Sequence, residues 1–272
     1  MPEGDTIHKI ANFLAPALAG QEVRGLTLAR PATNRPMAGC RIREVTARGK
    51  HLYIAFDNDL ALRSHLGMYG SWHHYAPGAA WRKPATQASV VLETAKRTYV
   101  CFNAKDVEWV RTPSVRQRVL DMRLGPDLTT GDVALETLPR RARALLEPDV
   151  PLVDVLLDQR VASGIGNVYK SELLFIRRLA PLLPLGDTPD AVIVACYALA
   201  SKLLRGNLGG GKRVTRFESD GAGRLWVYGR SGSACLRCEE PIRYARLGRH
   251  HRGTYWCSAC QSADAQARNS RT

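Results

Sequence analysis

The period of the hydrophobic positions changes twice along this chain. Ile7, Ile10, Ala11, Leu14 and Leu18 recur at helical intervals and predict an amphipathic opening helix. From residue 22 to 110 the pattern shifts to short β-rich runs: Leu26-Thr27-Leu28, Leu52 to Phe56, Leu60-Ala61-Leu62, Ser89 to Leu92 and Thr98 to Phe102. Turn residues such as Asp57-Asn58-Asp59 and Pro77-Gly78 separate them. Short strands at this spacing predict a sandwich or barrel. From about residue 132 the period is helical again. Val153, Leu156, Leu157 and Val161 predict one helix, Ser163 to Asn167 interrupt it, and Tyr169, Leu173, Ile176 and Ala180 predict a second. A third is expected from Thr188 to Gly206, with Thr188 capping and Pro189 in the first turn. The polar stretch from Gly209 to Arg224 reads as a mobile loop. These changes predict a first domain over 1–113, a connection over 114–131, a helical domain over 132–230, a cysteine module over 231–262 and a disordered tail over 263–272.

Composition narrows the class of partner. The 272 residues leave room for two domains with separate cores, and 45% hydrophobic content argues against disorder in either half. Lys and Arg number 39 against 25 Asp and Glu, a net charge of +14 with a pI near 9.8. That excess points to a polyanionic partner, nucleic acid ahead of an anionic membrane. The longest apolar run, Ala191 to Ala200, is ten residues, which suits a core helix and leaves no membrane span. Ile10 to Gly20 imitates a signal peptide, but Glu3 and Asp5 stand where a basic head belongs. A cytoplasmic protein is expected.

Several stretches carry chemistry. Removal of Met1 would leave Pro2 with a free secondary amine beside the Glu3 carboxylate. An amine attacking a sugar aldehyde carbon forms an iminium, and with proline that ion stays charged, so it serves as an electron sink. Glu3 would supply proton transfers. Taken alone, Pro-Glu near a chain start reads first as a helix entrance, and the case for chemistry has to come from the rest of the chain. Cys235-x2-Cys238 and Cys257-x2-Cys260, with eighteen residues between the pairs, can supply four thiolates to one structural Zn2+; two disulfides or a redox pair are the other readings. The intervening Arg243, Arg246, Arg249, His250, His251 and Arg252 suit phosphate contact better than core packing. Cys40, Cys101 and Cys196 read as reduced core thiols. The Gly164-Ile165-Gly166-Asn167 turn opens a helix whose N–H groups can receive a phosphate, although helical hairpins also use such turns without a ligand. Lys50 alone reads as a surface lysine. Met68-Tyr69, flanked by Gly67 and Gly70, reads either as a wedge for an opened base step or as a loop anchor.

Taken together the chain resembles the Fpg/Nei family of DNA glycosylases, in particular the endonuclease VIII (Nei) branch in its actinobacterial Nei2-like form. The matching motifs are MPEGDT at the start, RGKHLYIAF around Lys50, SHLGMYGSW at 64–72 and RLGPDL at 123–128. They continue with LLDQRVASGIGNVYKSELLF at 156–175, VYGR from 227 and RGTYWCSACQ at 252–261. The resemblance implies an α+β fold: an N-terminal helix plus β-sandwich catalytic domain, and a C-terminal helical domain. The latter carries a helix–two-turn–helix (H2TH) motif and a four-cysteine zinc-finger β-hairpin, and DNA lies in the basic cleft between the domains. It implies that Pro2 attacks C1′, that Glu3 transfers protons, that Lys50 serves β-elimination, and that Arg252 serves phosphate binding and δ-elimination. Gly67, Met68, Tyr69, Arg123 and Asn167 match DNA-contacting positions, and the Met68-Tyr69 loop fills the gap left by a flipped nucleotide.

The expected activity is therefore that of a bifunctional glycosylase/AP lyase of base excision repair. It would act as a monomer on double-stranded DNA containing oxidised or abasic sites, with one structural Zn2+ and no membrane partner. The stretch Phe102 to Asp106 lacks the Arg-x-Phe pattern of the 8-oxoguanine branch, which favours oxidised pyrimidines as substrates. An 8-oxoguanine-preferring enzyme and a non-catalytic damaged-DNA-binding protein are the alternatives. Two positions depart from the family pattern: Thr6 stands where many relatives carry glutamate, and Gly67 replaces a polar wedge residue.

Overall fold

A computed structural model describes residues 1–29, 34–111 and 124–262. Arg123, residues 114–122 of the expected connection and the expected tail at 263–272 lie outside the described residues. The chain divides into two compact units, Met1–Arg123 and Leu124–Thr272.

The first unit opens with helix α1 (Gly4–Leu18), whose Ile7, Ala11, Leu14 and Leu18 are buried at the expected spacing. Two four-stranded antiparallel sheets follow. One has the order β1 (Val23–Leu28), β6 (Ala88–Thr94), β7 (Thr98–Phe102), β5 (Ser71–Tyr75). The other has the order β2 (Ile42–Arg48), β3 (His51–Phe56), β4 (Leu60–His65), β8 (Asp106–Arg111). The α1 stripe joins Leu26, Val45, Ile54, Leu62, Val90 and Leu92 in one core between the sheets. Each such side chain removed from water contributes about 1.5–3 kcal/mol. The sandwich expected above is thus present. Strands β2, β5 and β8 carry too few alternating apolar residues to announce themselves.

The second unit contains α2 (Leu138–Leu145), α3 (Leu152–Val155), α4 (Asn167–Ile176), α5 (Asp190–Gly206) and a hairpin of β9 (Arg243–Leu247) with β10 (Arg252–Trp256). Leu152, Leu156, Val161, Leu173, Cys196 and Leu203 share its main core. Three expectations need correction. The helix read from Val153 to Val161 stops at Val155, and tight turns carry the same apolar face onward. In those turns Gln159 Nε2 donates to the carbonyls of Leu157 and Ile165, while Asp158 accepts from the Arg160 N–H. Thr188 does not cap α5; its hydroxyl donates to the Pro184 carbonyl, and Pro189 holds the cap position. The Gly209–Arg224 stretch is fastened instead of loose: Thr215 and Arg216 are buried, and Thr215 donates to the buried Glu172 carboxylate.

Candidate active site and nucleic-acid interface

In the first unit, Glu3 is the residue before helix α1, and its carbonyl accepts the N–H groups of Thr6 and Ile7 at 2.9 and 3.1 Å. Its side chain is fully buried, whereas Pro2 is half-buried and Met1 exposed. The helix begins two residues after Pro2, with Glu3 as its cap residue, so the Glu3 carboxylate belongs to the positive end of the helix dipole. An ~820 Å3 depression lined by Leu28, Arg35, Arg63, Lys105 and Trp109 includes neither Pro2 nor Glu3. The chemistry-bearing terminus therefore lies outside that depression.

Lys50 occupies the tight turn between β2 and β3, behind Gly49 at φ 55°. Strand register then builds a cationic cluster beside it, which the sequence alone did not disclose. His51 pairs with His65 across β3 and β4, with ring centroids 5.0 Å apart. Arg63 Nη1 donates to His51 Nδ1 at 2.8 Å and Arg63 Nε to Glu108 Oε1 at 2.7 Å. Burial, helped by the charges of Arg63, His65, Lys50 and Lys105, pushes the His51 pKa down to about 3. Burial, followed by the charges of Lys50 and Lys105, lowers His65 to about 4 despite Asp106 nearby. Both imidazoles are neutral at pH 7, so Lys50 and Lys105 keep their positive field without two further cations crowding them.

The loop between β4 and β5 presents Met68 at 53% and Tyr69 at 75% exposure. Its glycines are required by geometry. Gly67 has φ 63°, and a Cβ there would meet Lys105 Cβ at 2.8 Å; a Cβ on Gly70 would run into the Leu66 carbonyl oxygen. This explains why no polar wedge side chain stands at Gly67: the tight turn pushes the two residues after it outward.

In the second unit, the sulfurs of Cys235, Cys238, Cys257 and Cys260 all lie within 4.8 Å of one another. Neighbouring sulfurs stand 3.4–3.9 Å apart. That is far longer than a disulfide bond and close to the ~3.8 Å edge of a tetrahedron with 2.3 Å metal–sulfur bonds. Backbone N–H groups of Arg237 and Cys260 point at Cys235 and Cys257 sulfurs at 3.4 Å. This donor set fits one four-coordinate metal ion, and Cys40, Cys101 and Cys196 stay apart from it.

Asn167 is the first residue of α4. Its Nδ2 donates to the Gly253 carbonyl at 2.6 Å, and its Oδ1 accepts from Lys170 Nζ at 2.7 Å. Lys170, fully buried, also donates to the Gly253 carbonyl at 3.0 Å and Thr254 Oγ1 at 2.8 Å. An ammonium has three donors, and here all three have oxygen partners. Arg252, exposed at the start of β10, is brought beside the N-terminus of α4 by these bonds. The chain just after Arg123 is also tied to the turns before α4, with Gly125 N donating to the Gln159 carbonyl at 2.7 Å and Ser163 N to the Pro126 carbonyl at 2.8 Å. The expected residues are thus divided between the units, with Pro2, Glu3, Lys50 and the 67–70 loop in the first and Asn167, Arg252 and the cysteines in the second.

This architecture is the one found in formamidopyrimidine-DNA glycosylases. The Lactococcus lactis enzyme, solved bound non-covalently to DNA containing an AP site, superposes with a TM-score of 0.80 over 96% of this chain and 99% of that one, at 22% identity. Residues 1–107 match the family model described as the formamidopyrimidine-DNA glycosylase N-terminal domain. Over 278 aligned residues the chain is 40% identical to a Streptomyces coelicolor protein named "Probable endonuclease 8 2", covering 100% of this chain and 98% of the relative. The Mycolicibacterium smegmatis "DNA-(apurinic or apyrimidinic site) lyase Nei2" is 35% identical over 97% of this chain and 100% of its own length. The chain belongs to the Fpg/Nei family, on its endonuclease VIII side. Among the described residues no helix is long and apolar enough to cross a membrane.

Proposed function

We propose that this chain is a bifunctional DNA glycosylase/AP lyase of base excision repair, excising oxidised bases, oxidised pyrimidines foremost, from double-stranded DNA. It works as a cytoplasmic monomer, with a catalytic sandwich domain over 1–113, a helical domain over 132–230 and a zinc finger over 231–262. The observation that carries this reading is Pro2 set directly before a fully buried Glu3 at the head of α1, in a chain with full-length relatives named for this activity.

Once Met1 is removed, the Pro2 nitrogen attacks C1′ of a flipped nucleotide. The C1′–N bond to the base breaks, its electron pair leaving with the base, which takes up a proton. The Pro2 nitrogen gives up its N–H proton, Glu3 passes a proton on to O4′ as the C1′–O4′ bond opens, and the freed nitrogen lone pair completes the C1′ iminium. That cation acidifies C2′. Loss of the C2′ proton forms the C2′–C3′ double bond as the C3′–O bond breaks and the 3′ phosphate departs. Lys50 assists this step. Loss of the C4′ proton then expels the 5′ phosphate with Arg252 bound to it, and water hydrolyses the iminium to restore the Pro2 amine. Met68 and Tyr69 occupy the vacated base position, while Asn167 and Arg123 bind phosphates. One Zn2+ on Cys235, Cys238, Cys257 and Cys260 fixes the hairpin and takes no part in the reaction.

Borohydride trapping on abasic and thymine-glycol duplexes tests the proposal. The methionine-free chain should give a stable protein–DNA adduct, and Pro2→Gly or a chain retaining Met1 should give little. Equal adduct from all three would place the nucleophile elsewhere. Faster excision of 8-oxoguanine than of thymine glycol from matched duplexes would reverse the base preference.

A further inference from the structure

The turn from β9 to β10 runs through Gly248, Arg249, His250 and His251 and delivers Arg252. This turn is fastened. The Arg249 backbone N–H donates to Asp154 Oδ2 at 2.5 Å, and the Arg249 guanidinium lies 2.6 Å from Asp149. Asp149 is 77% exposed, so that ion pair contributes little. Asp154 differs: it stands on α3 with only 4% exposure, and its Oδ1 has no hydrogen-bond partner among the described residues. Gly248, at φ 75°, lies against the same carboxylate; a Cβ there would meet Oδ2 at 2.5 Å and Oδ1 at 2.6 Å.

A carboxylate buried with one oxygen unsatisfied is costly, and an apolar residue at this point of α3 would be cheaper. Its bond to the turn therefore asks for a reason beyond stability. The strand carrying Arg252 is held on both sides of that residue, by Asp154 at Arg249 and by Asn167 with Lys170 at Gly253. We propose that Asp154 is a positioning residue for Arg252: by latching the hairpin turn to α3 it fixes the guanidinium for δ-elimination. The inference rests on the role given to Arg252 above.

The test uses the full methionine-free, zinc-loaded chain on an abasic duplex. It reads the rate of δ-product formation, the rate of borohydride-trapped adduct and the zinc content. Displacing a group by about 1 Å can cost on the order of 100-fold. Asp154→Ala should therefore slow δ-product formation about 10- to 100-fold, with adduct formation within about twofold of the parent. Asp154→Asn, which keeps an acceptor oxygen, should restore most of the rate. Arg252→Ala and the double variant Asp154→Ala/Arg252→Ala should be equal, because the latch acts only through Arg252. Should Asp154→Ala lose zinc or fold poorly, Gly248→Ala unlatches the exposed turn from the other side and must give the same δ-specific loss. Two results overturn the latch: parent-like δ rates in Asp154→Ala and Gly248→Ala, or losses that add fully to that of Arg252→Ala. A parent-like Arg252→Ala would remove the Arg252 assignment and the latch together, while Pro2-dependent trapping would leave the wider glycosylase reading intact.

Discussion

Asn167 Nδ2 donates to the carbonyl oxygen of Gly253 at 2.6 Å, so the first residue of α4 holds the strand that carries Arg252. The same carbonyl also receives the buried Lys170 ammonium, and Asn167 Oδ1 is one of that ammonium's acceptors. Asn167→Ala removes a donor and an acceptor at once in a site with little water. We expect a loss of about 1–3 kcal/mol in urea unfolding, the cost of leaving such groups unsatisfied, together with weaker DNA binding. An Asn167→Ala chain as stable as its parent would mean that Lys170 and Gly253 are satisfied without it.

The histidine pair beside Lys50 makes the first unit acid-sensitive in a defined window. His51 and His65 have folded-state pKa values of about 3 and about 4, against about 6.5 unfolded. Below pH 6.5 the unfolded chain binds protons that the folded chain refuses, so stability is complete above that value and falls as the pH drops towards 4. Between pH 7.5 and 5.5 the parent should lose about 1 kcal/mol per histidine after allowance for partial exposure. His51→Gln, which keeps an acceptor for Arg63, should lose correspondingly less. Urea midpoints at the two pH values check this, and identical pH slopes would refute it.

Met68 and Tyr69 project from a loop whose glycines cannot be replaced without moving it. Their exposure means that Met68→Ala and Tyr69→Ala should change stability by less than about 0.5 kcal/mol. Each should nevertheless weaken binding to an abasic duplex by about 1–3 kcal/mol, as lost stacking does. Gly67→Gln should impair the loop instead of adding a wedge, because φ 63° and the Lys105 side chain leave no place for a Cβ. Fluorescence anisotropy on abasic and undamaged duplexes measures both effects.

Much of this molecule is legible in its residues because the informative features are local. The α1 stripe, five strand runs and the two Cys-x2-Cys pairs each declare themselves over a few positions. What escapes is set by register or by side-chain competition. The His51–His65 pairing exists only once β3 and β4 are aligned, and β5, Ser71–Tyr75, is a strand whose two histidines hide its pattern. The α3 periodicity misled because turns after Val155 bury Leu156 and Val161 as a helix would. Asp154 gives no sequence signal, since its partner Arg249 lies 95 residues away.

Metal removal should separate the hairpin from the rest of the second unit. The hairpin has only a small apolar cluster of its own, Phe175, Val227, Cys235, Ile242 and Cys257, two of which are proposed metal ligands. The helical core around Leu156, Leu173 and Leu203 contains none of the four. Zinc bound to a cysteine quartet supplies folding free energy directly, about 10–16 kcal/mol in zinc-finger peptides, so a cluster this small will not hold β9 and β10 without it. The hairpin's fastenings at Asp154, at Asn167 with Lys170, and from Gln261 Nε2 to the Leu179 carbonyl at 2.8 Å are polar and lose their geometry once the strands separate. Chelation should therefore release about one zinc per chain, abolish Arg252-dependent strand cleavage and leave most far-ultraviolet dichroism intact, with Cys257→Ser giving the same phenotype without chelator. Retention of DNA affinity and δ-elimination by a zinc-free chain would show that the hairpin folds on its polar contacts alone.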